Sequence, residues 1–394
     1  MKYYKTEINS SGNIAVDDMI LVKDVEACAG SRILEGFKPL FSAEVVEKLQ
    51  AKGYKISGKT NVGEFGLDLA GEFSCYGEKE ETIKGAAAEA VASGSVKAAL
   101  GVDMNGSTRR SAALSGISFL KPTYATVSRY GIISCAASGE QVGVYAKDTE
   151  GIKKIMTVIA GHDDKDGTSL PEKEYVYDNK MNVSGMNVCV IKELLDKADD
   201  CVKAEVNAYI DALKENGVEV TEISCDLFEV ANTAWQILMC AETCNNVSRY
   251  DGVKYGYRAS GYKNIDELYV KTRTEGFNFL TKAVILYGSE ALSKNRYKEC
   301  YDKSLRVRRI VAEEMAKLFE EYDALLTPVC SAAEYKKYDI ADAFEKVYGE
   351  SVFTAVANLI GAPALASGKV QLIGKNFAES TLLSLANCVE RKGE

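Results

Sequence analysis

Two side chains in this sequence are placed where chemistry is possible: a serine after an Asn-Gly turn and a lysine at the end of an apolar run. Ser107 closes GVDMNGS, where an apolar stretch gives way to a tight turn. A hydroxyl at such a junction is presented outward, and backbone N–H groups can converge there on an oxyanion. Asn-Gly also makes turns with no chemistry attached. Lys23 follows the apolar run MILV at 19–22 and precedes Asp24. A lysine partly desolvated at a strand end loses some basicity and becomes a proton acceptor, although a lysine there also snorkels to solvent.

Other nucleophile systems are poorly supplied. His162 is the only histidine of the 394 residues, so any Ser-His-Asp, Cys-His or zinc–histidine scheme would pass through it. It lies in AGHDDKDG, which reads as a solvated turn after a helix. The eleven cysteines are scattered singly, with only Cys240 and Cys244 at helical spacing, as expected of reduced, mostly buried thiols. No metal site and no cofactor are expected. With 48 Lys+Arg against 57 Asp+Glu, the net charge of −9 argues against a broad nucleic-acid footprint. No apolar run reaches the length of a membrane span, and MKYYKTEINSSG lacks the build of a signal peptide, so a cytoplasmic protein is expected.

The elements that must position these residues alternate between strand and helix. MILV at 19–22 reads as a short strand, and SAEVVEKLQAKGY at 42–54 as an amphipathic helix. From Gly85 to Ser107 the pattern is an Ala-rich helix, a turn, a buried strand around Lys97 to Val102, then a polar turn; its small residues let helix and sheet approach closely. DTEGIKKIMTVIAGH carries an Asp/Thr start signal and stops near Gly161. NVCVI at 187–191 and EVTEI at 219–223 flank a helix as in a βαβ unit. From 227 to 322 the signal is nearly all helical, and ALLTPV at 324–329 returns to a buried strand. No linker divides the chain, which predicts a single α/β domain over 1–394 with a helical insertion.

The sequence resembles the amidase-signature enzymes, and most closely the branch formed by the A subunits of glutamyl-tRNA(Gln)/aspartyl-tRNA(Asn) amidotransferases. The resemblance rests on ILVKD at 20–24, GKTNVGEF at 58–65, DMNGSTR at 103–109, GISFLKPTYATVSRYGII at 116–133, IAGHDDKDGTS at 159–169, SRYDGVKYGYRA at 248–259, LYVKTRTEGF at 268–277 and VQLIGKNFAESTLL at 370–383. It implies one large domain with a mixed central sheet covered by helices on both faces. It also implies a Ser–Ser–Lys triad without histidine. Ser107 maps onto the nucleophile and Lys23 onto the base, while a middle serine on a cis peptide bond passes the proton. Met104, Asn105 and Gly106 map onto the oxyanion turn.

The resemblance further implies that glutamine's side-chain amide is hydrolysed and the ammonia delivered to B and C subunits for ATP-dependent amidation of Glu-tRNA(Gln) or Asp-tRNA(Asn). The partner, rather than this chain, is expected to touch the nucleic acid. Departures from the pattern cluster at the site. Counting back without gaps places the middle serine at Ile83, in ETIKGAAAE, where only Gly85 survives of a glycine-rich loop; Thr82 and Ser74 are the nearest hydroxyls. Met104 and Asn105 stand for Thr-Gly, and Asn105 is expected to tolerate a positive φ. In KAVILYG at 282–288, Ala283 and Val284 replace the arginines that would grip a glutamine carboxylate, leaving Lys282. The acidic ligand of the amino group falls at Ser351, beside Glu350. Arg109 and Arg129 are expected to be ion-pair partners. The reading is a diverged paralogue with little or no glutaminase activity, and the alternative is an amide hydrolase using Ser107 and Lys23 on glutamine or a less polar amide.

Overall fold

In the computed structural model, residues 3–76, 82–172 and 174–390 are described. The strands in chain order are β1 (Tyr4–Glu7), β2 (Ile14–Asp17), β3 (Ile56–Thr60), β4 (Thr82–Ile83), β5 (Ala98–Asp103), β6 (Ser118–Lys121) and β7 (Gln141–Ala146). They continue with β8 (Asn187–Ile191), β9 (Glu219–Ile223), β10 (Ala324–Pro328), β11 (Tyr335–Lys336), β12 (Ala364–Ser367) and β13 (Val370–Ile373). Eleven of them form one sheet in the order β1-β3-β2-β5-β7-β6-β12-β13-β10-β8-β9, and β4 pairs with β11 apart from it. The sheet is mixed: β2 runs parallel to both β3 and β5, whereas β5 and β7 are antiparallel.

Helices α1 (Glu44–Ala51), α2 (Ala86–Ala92), α3 (Ser107–Ser115), α4 (Thr149–Ile159), α5 (Lys192–Asp196), α6 (Asp200–Glu215) and α7 (Leu227–Val247) are followed by α8 (Ile265–Gly276), α9 (Phe279–Leu292), α10 (Tyr301–Glu321), α11 (Ala343–Ser351), α12 (Ala355–Leu359) and α13 (Glu379–Glu390). They cover both faces because the strands are apolar on both. Alternation along β2 and β5 sends Ile14, Val16, Ala98, Leu100 and Val102 into one core, shared with α1, α4 and α7. Ala15 and Ala99 go into the other, against the alanines of α2 and α3. The small side chains on that second face bring α3 close to the sheet. At Gly101 a Cβ would lie 2.8 Å from the Tyr145 ring and 3.1 Å from the Thr108 methyl.

Most expected elements are present. The βαβ unit forms, with β8 and β9 parallel, and 227–321 holds α7 to α10. One strand differs. MILV at 19–22 is not a strand: the sheet takes the preceding IAVD, and Ile20 makes only an isolated bridge to Ile132. The cause is the acidic pair that ends β2. Asp17 Oδ1 accepts the Met19 N–H at 2.9 Å and turns the chain, so the apolar run after it packs under a loop instead of in a ladder.

The second acid of the pair is held by charge. Lys59 Nζ on β3 lies 3.1 Å from Asp18 Oδ1 and donates to the Asp18 carbonyl at 3.2 Å, with both side chains fully buried. Burial pushes the Lys59 ammonium to titrate lower than usual, against the pull of Asp18. Removing Lys59 leaves the buried Asp18 carboxylate with only the more distant Lys5, at 3.7 Å, against its charge. Lys59→Met is therefore expected to lower unfolding stability in urea by about 3–5 kcal/mol. Lys59→Met combined with Asp18→Asn should lose less than the single variant. A single variant within about 0.5 kcal/mol of the parent would refute the pairing as a stabilising element.

Candidate functional site

Ser107 is the first residue of α3 and follows Gly106, whose φ of 82° and ψ of 11° are left-handed. A side chain at 106 would place its Cβ 2.4 Å from Thr354 Cβ, so both conformation and space demand glycine. Asn105 does not take the positive φ expected of it; Gly106 alone in this turn does. Because Ser107 opens a helix, the first N–H groups of α3 have no intrahelical acceptor and face the turn.

A buried ion pair fixes this turn. Arg109 donates from Nε and Nη2 to the two oxygens of Asp103, each at 2.9 Å, and from Nη1 to Gln371 Oε1 at 2.6 Å and the Thr354 carbonyl at 3.0 Å. The guanidinium holds the Asp103 carboxyl well below the usual carboxylate range despite its burial. Arg110 Nη1 donates to the Asn105 carbonyl and to Thr354 Oγ1, each at 3.0 Å. Arg129 pairs with Glu140 at 3.2 Å, so both expected arginines are in ion pairs.

Ser107 opens on a cavity of about 40 Å³, lined by Asp17, Asp68, Thr108, Ser111 and Tyr145 among others. That is room for about one water. Beside it is a second cavity of about 1220 Å³, and Asn61, Ala70, Gly71, Gly85 and Ala86 line both. Gly85 keeps α2 against α3 here: a Cβ on it would meet Ser111 Oγ at 2.3 Å.

Lys23 is not brought to Ser107. It is exposed, in the turn after MILV, and its backbone N–H donates to Ser42 Oγ at 3.0 Å. The strand end that faces α3 is that of β2, and the residue there is Asp17. The physical reason is the displaced strand: period 2 along IAVD puts Asp17 on the Ala15 face, toward α2 and α3, and Lys23 lies beyond the turn. Asp17 accepts Met19 N–H at 2.9 Å and Val102 N–H at 2.7 Å. Burial raises its carboxyl to about 6, with those two bonds and Lys59 opposing the rise. Sequence reasoning missed Asp17 and Asp68; the alternation I-A-V-D was the available signal for the first, and nothing local marks the second.

Ile83 is buried in β4, paired with Tyr335 and lining the larger cavity. Ser74 and Thr82 line that cavity too, and Ser74 donates to Asn61 Oδ1 at 2.6 Å. Met104 is packed in the main core. Asn105 is tied down at both ends of its amide, donating to Ser351 Oγ at 2.7 Å and accepting from Gln236 Nε2 at 3.2 Å. Ser351 is thereby near the oxyanion turn, yet committed to Asn105 and the Val347 carbonyl. Glu350 turns away, accepting from Ser331 and Tyr335. Lys282 lies on α9 with its ammonium 3.2 Å from the Thr274 carbonyl, and neither it, Ala283 nor Val284 lines either cavity. His162 is partly exposed, its ring held between the Leu170 carbonyl and Asp164. Among the described residues no group of three or more His, Cys, Asp or Glu could hold a metal ion, and no helix is long and apolar enough to cross a membrane.

Residues 13–383 match the Amidase family. The chain belongs to the amidase-signature family. Among its amidase relatives are proteins named as the A subunit of glutamyl-tRNA(Gln) amidotransferase. That of Symbiobacterium thermophilum is 38% identical over 394 residues, covering 95% of this chain and 81% of the relative. That of Sulfurihydrogenibium sp. is 35% identical with the same coverage, 95% and 81%. The crystal structure of the Thermotoga maritima protein of that name superposes with a TM-score of 0.81 at 28% identity, covering 98% of this chain and 85% of that one. The amidase-signature fold of the chain, one large mixed sheet with helices on both faces, follows from the match and from the topology together.

The buried acid at the site has a pH signature. Because the folded state holds Asp17 at about 6, above its usual 3.8, the folded state binds more protons between these values and stability falls as pH rises through them. Above the upper value the full loss is about 3 kcal/mol. Asp17→Asn removes that dependence. The stability difference between variant and parent, measured by urea unfolding from pH 4 to 7, should move in the variant's favour by up to about 3 kcal/mol. A constant difference across the range would show that Asp17 does not titrate there.

Proposed function

We propose that this chain is a diverged paralogue of the amidotransferase glutaminase subunit that keeps the framework but has little or no glutaminase activity. One observation carries the reading: the two carboxylates that line the Ser107 cavity, Asp17 and Asp68, each already accept two backbone N–H bonds, and no lysine lines that cavity. A serine hydroxyl needs a base to become a nucleophile, and loss of the base or relay costs several orders of magnitude in rate. A Lys23–Ser107 dyad has no support, since Lys23 is exposed and does not line the Ser107 cavity.

The substrate side agrees. A free glutamine carboxylate calls for a bidentate cation, whereas Lys282 is turned to a backbone carbonyl and Ser351 to Asn105. The relatives are named as parts of an amidotransferase, and on that ground we include pairing with the B and C subunits in the proposal.

The test is ammonia release by the purified chain from glutamine, asparagine and a panel of simple aliphatic and aromatic amides, with Ser107→Ala as control. No release above the control from folded protein is expected. Turnover that disappears in Ser107→Ala would overturn the reading and make Ser107 a working nucleophile.

A further inference from the structure

We propose that the Ser107 cavity and the larger cavity beside it form a binding site for a primary alkylammonium ion, its charged end on Asp17 and Ser107 and its tail in the larger space. The proposal rests on the reading of Ser107 as non-hydrolytic, since it uses the serine as a hydrogen-bond acceptor.

Three observations point to a cation. Asp17 is only 4% exposed, and among the described residues no ion pair reaches it; Lys59, whose charge acts on it, is committed to Asp18 at 3.1 Å. Each Asp17 oxygen accepts one backbone N–H, which leaves lone pairs directed elsewhere. A buried carboxylate with unused acceptor capacity favours a positive partner. Second, Ser107 is 8% exposed and lines the cavity, and its hydroxyl has no hydrogen-bond partner among the described residues; Ser111, next to it, donates to the Ser107 carbonyl instead at 2.8 Å. Third, the space fits. About 40 Å³ accommodates one group of water or ammonium size, and a metal ion would have to be completed by several waters.

The way out of the small cavity selects an organic amine over a bare ion. It shares Asn61, Ala70, Gly71, Gly85 and Ala86 as walls with the cavity of about 1220 Å³, which Tyr76 and Tyr338 also line. Aromatic faces in the larger space favour both alkyl groups and cations.

The experiment is isothermal titration of the full chain with methylammonium, n-butylammonium and putrescine chlorides at constant ionic strength. Sodium chloride, potassium chloride and butyramide are the comparisons. We expect saturable binding of n-butylammonium, no binding of butyramide, and no competition by sodium or potassium. Asp17→Asn should weaken binding by at least about tenfold, and Ser107→Ala by a few fold. Ala86→Leu, at a helix position that tolerates leucine, should weaken n-butylammonium more than methylammonium, and it keeps the proposal testable if Asp17→Asn does not fold. Absence of saturable binding by all three amines, binding unchanged in Asp17→Asn, or equal competition by potassium would each overturn the proposal. Failure here without Ser107-dependent ammonia release sinks the amine site alone, whereas such release sinks the functional reading itself.

Discussion

The Asp103–Arg109 pair is the contact on which the candidate site depends. Asp103 ends a central strand and Arg109 lies in the first turn of α3, so the pair ties the sheet to the helix across the residues that carry Ser107. Both side chains are fully buried, and desolvating two charges is tolerable only when every donor is matched. Here Gln371, Thr354, Asn358 and Thr108 complete the set, drawing β13, α12 and the segment before it onto the same turn. The left-handed Gly106, pressed against Thr354, follows from that closure. The presentation of Ser107 is thus a property of the framework and persists whatever groups face it.

The proposed loss of glutaminase activity requires that independence. Asp17 and Ile83 are compatible with the core around them: one ends a strand by capping the following turn, the other adds an apolar side chain to the cluster beneath α2 and α3. Neither disturbs the ion pair or the close packing at Gly85 and Gly101. A base and a relay contribute to a transition state, while a fold is held by burial and satisfied polar groups, so substitutions at the former cost the latter little. The network from Asn105 to Ser351 and Gln236 ties the same turn to α11 and α7.

Much of the framework was legible in the residues. The alternation in NVCVI and EVTEI, the alanine-rich run before Val102 and the capped helix from Thr149 each became the expected element, because local pattern and burial agree there. The glycine turn before Ser107 and the two arginines in ion pairs were also readable.

What the sequence could not decide was which of two adjacent apolar runs, IAV or MILV, enters the sheet. Either satisfies the pattern for a short strand. Pairing with β3 on one side and β5 on the other selects the first, and the Asp17 turn excludes the second. That choice moves the group facing Ser107 from a lysine to an aspartate, six residues and one turn away. The sequence by itself determined the family, the sheet and the nucleophile-like serine, because these rest on local pattern and long motifs. Only the tertiary structure decided the serine's neighbours, because facing is set by strand register and by which side of the sheet a side chain leaves.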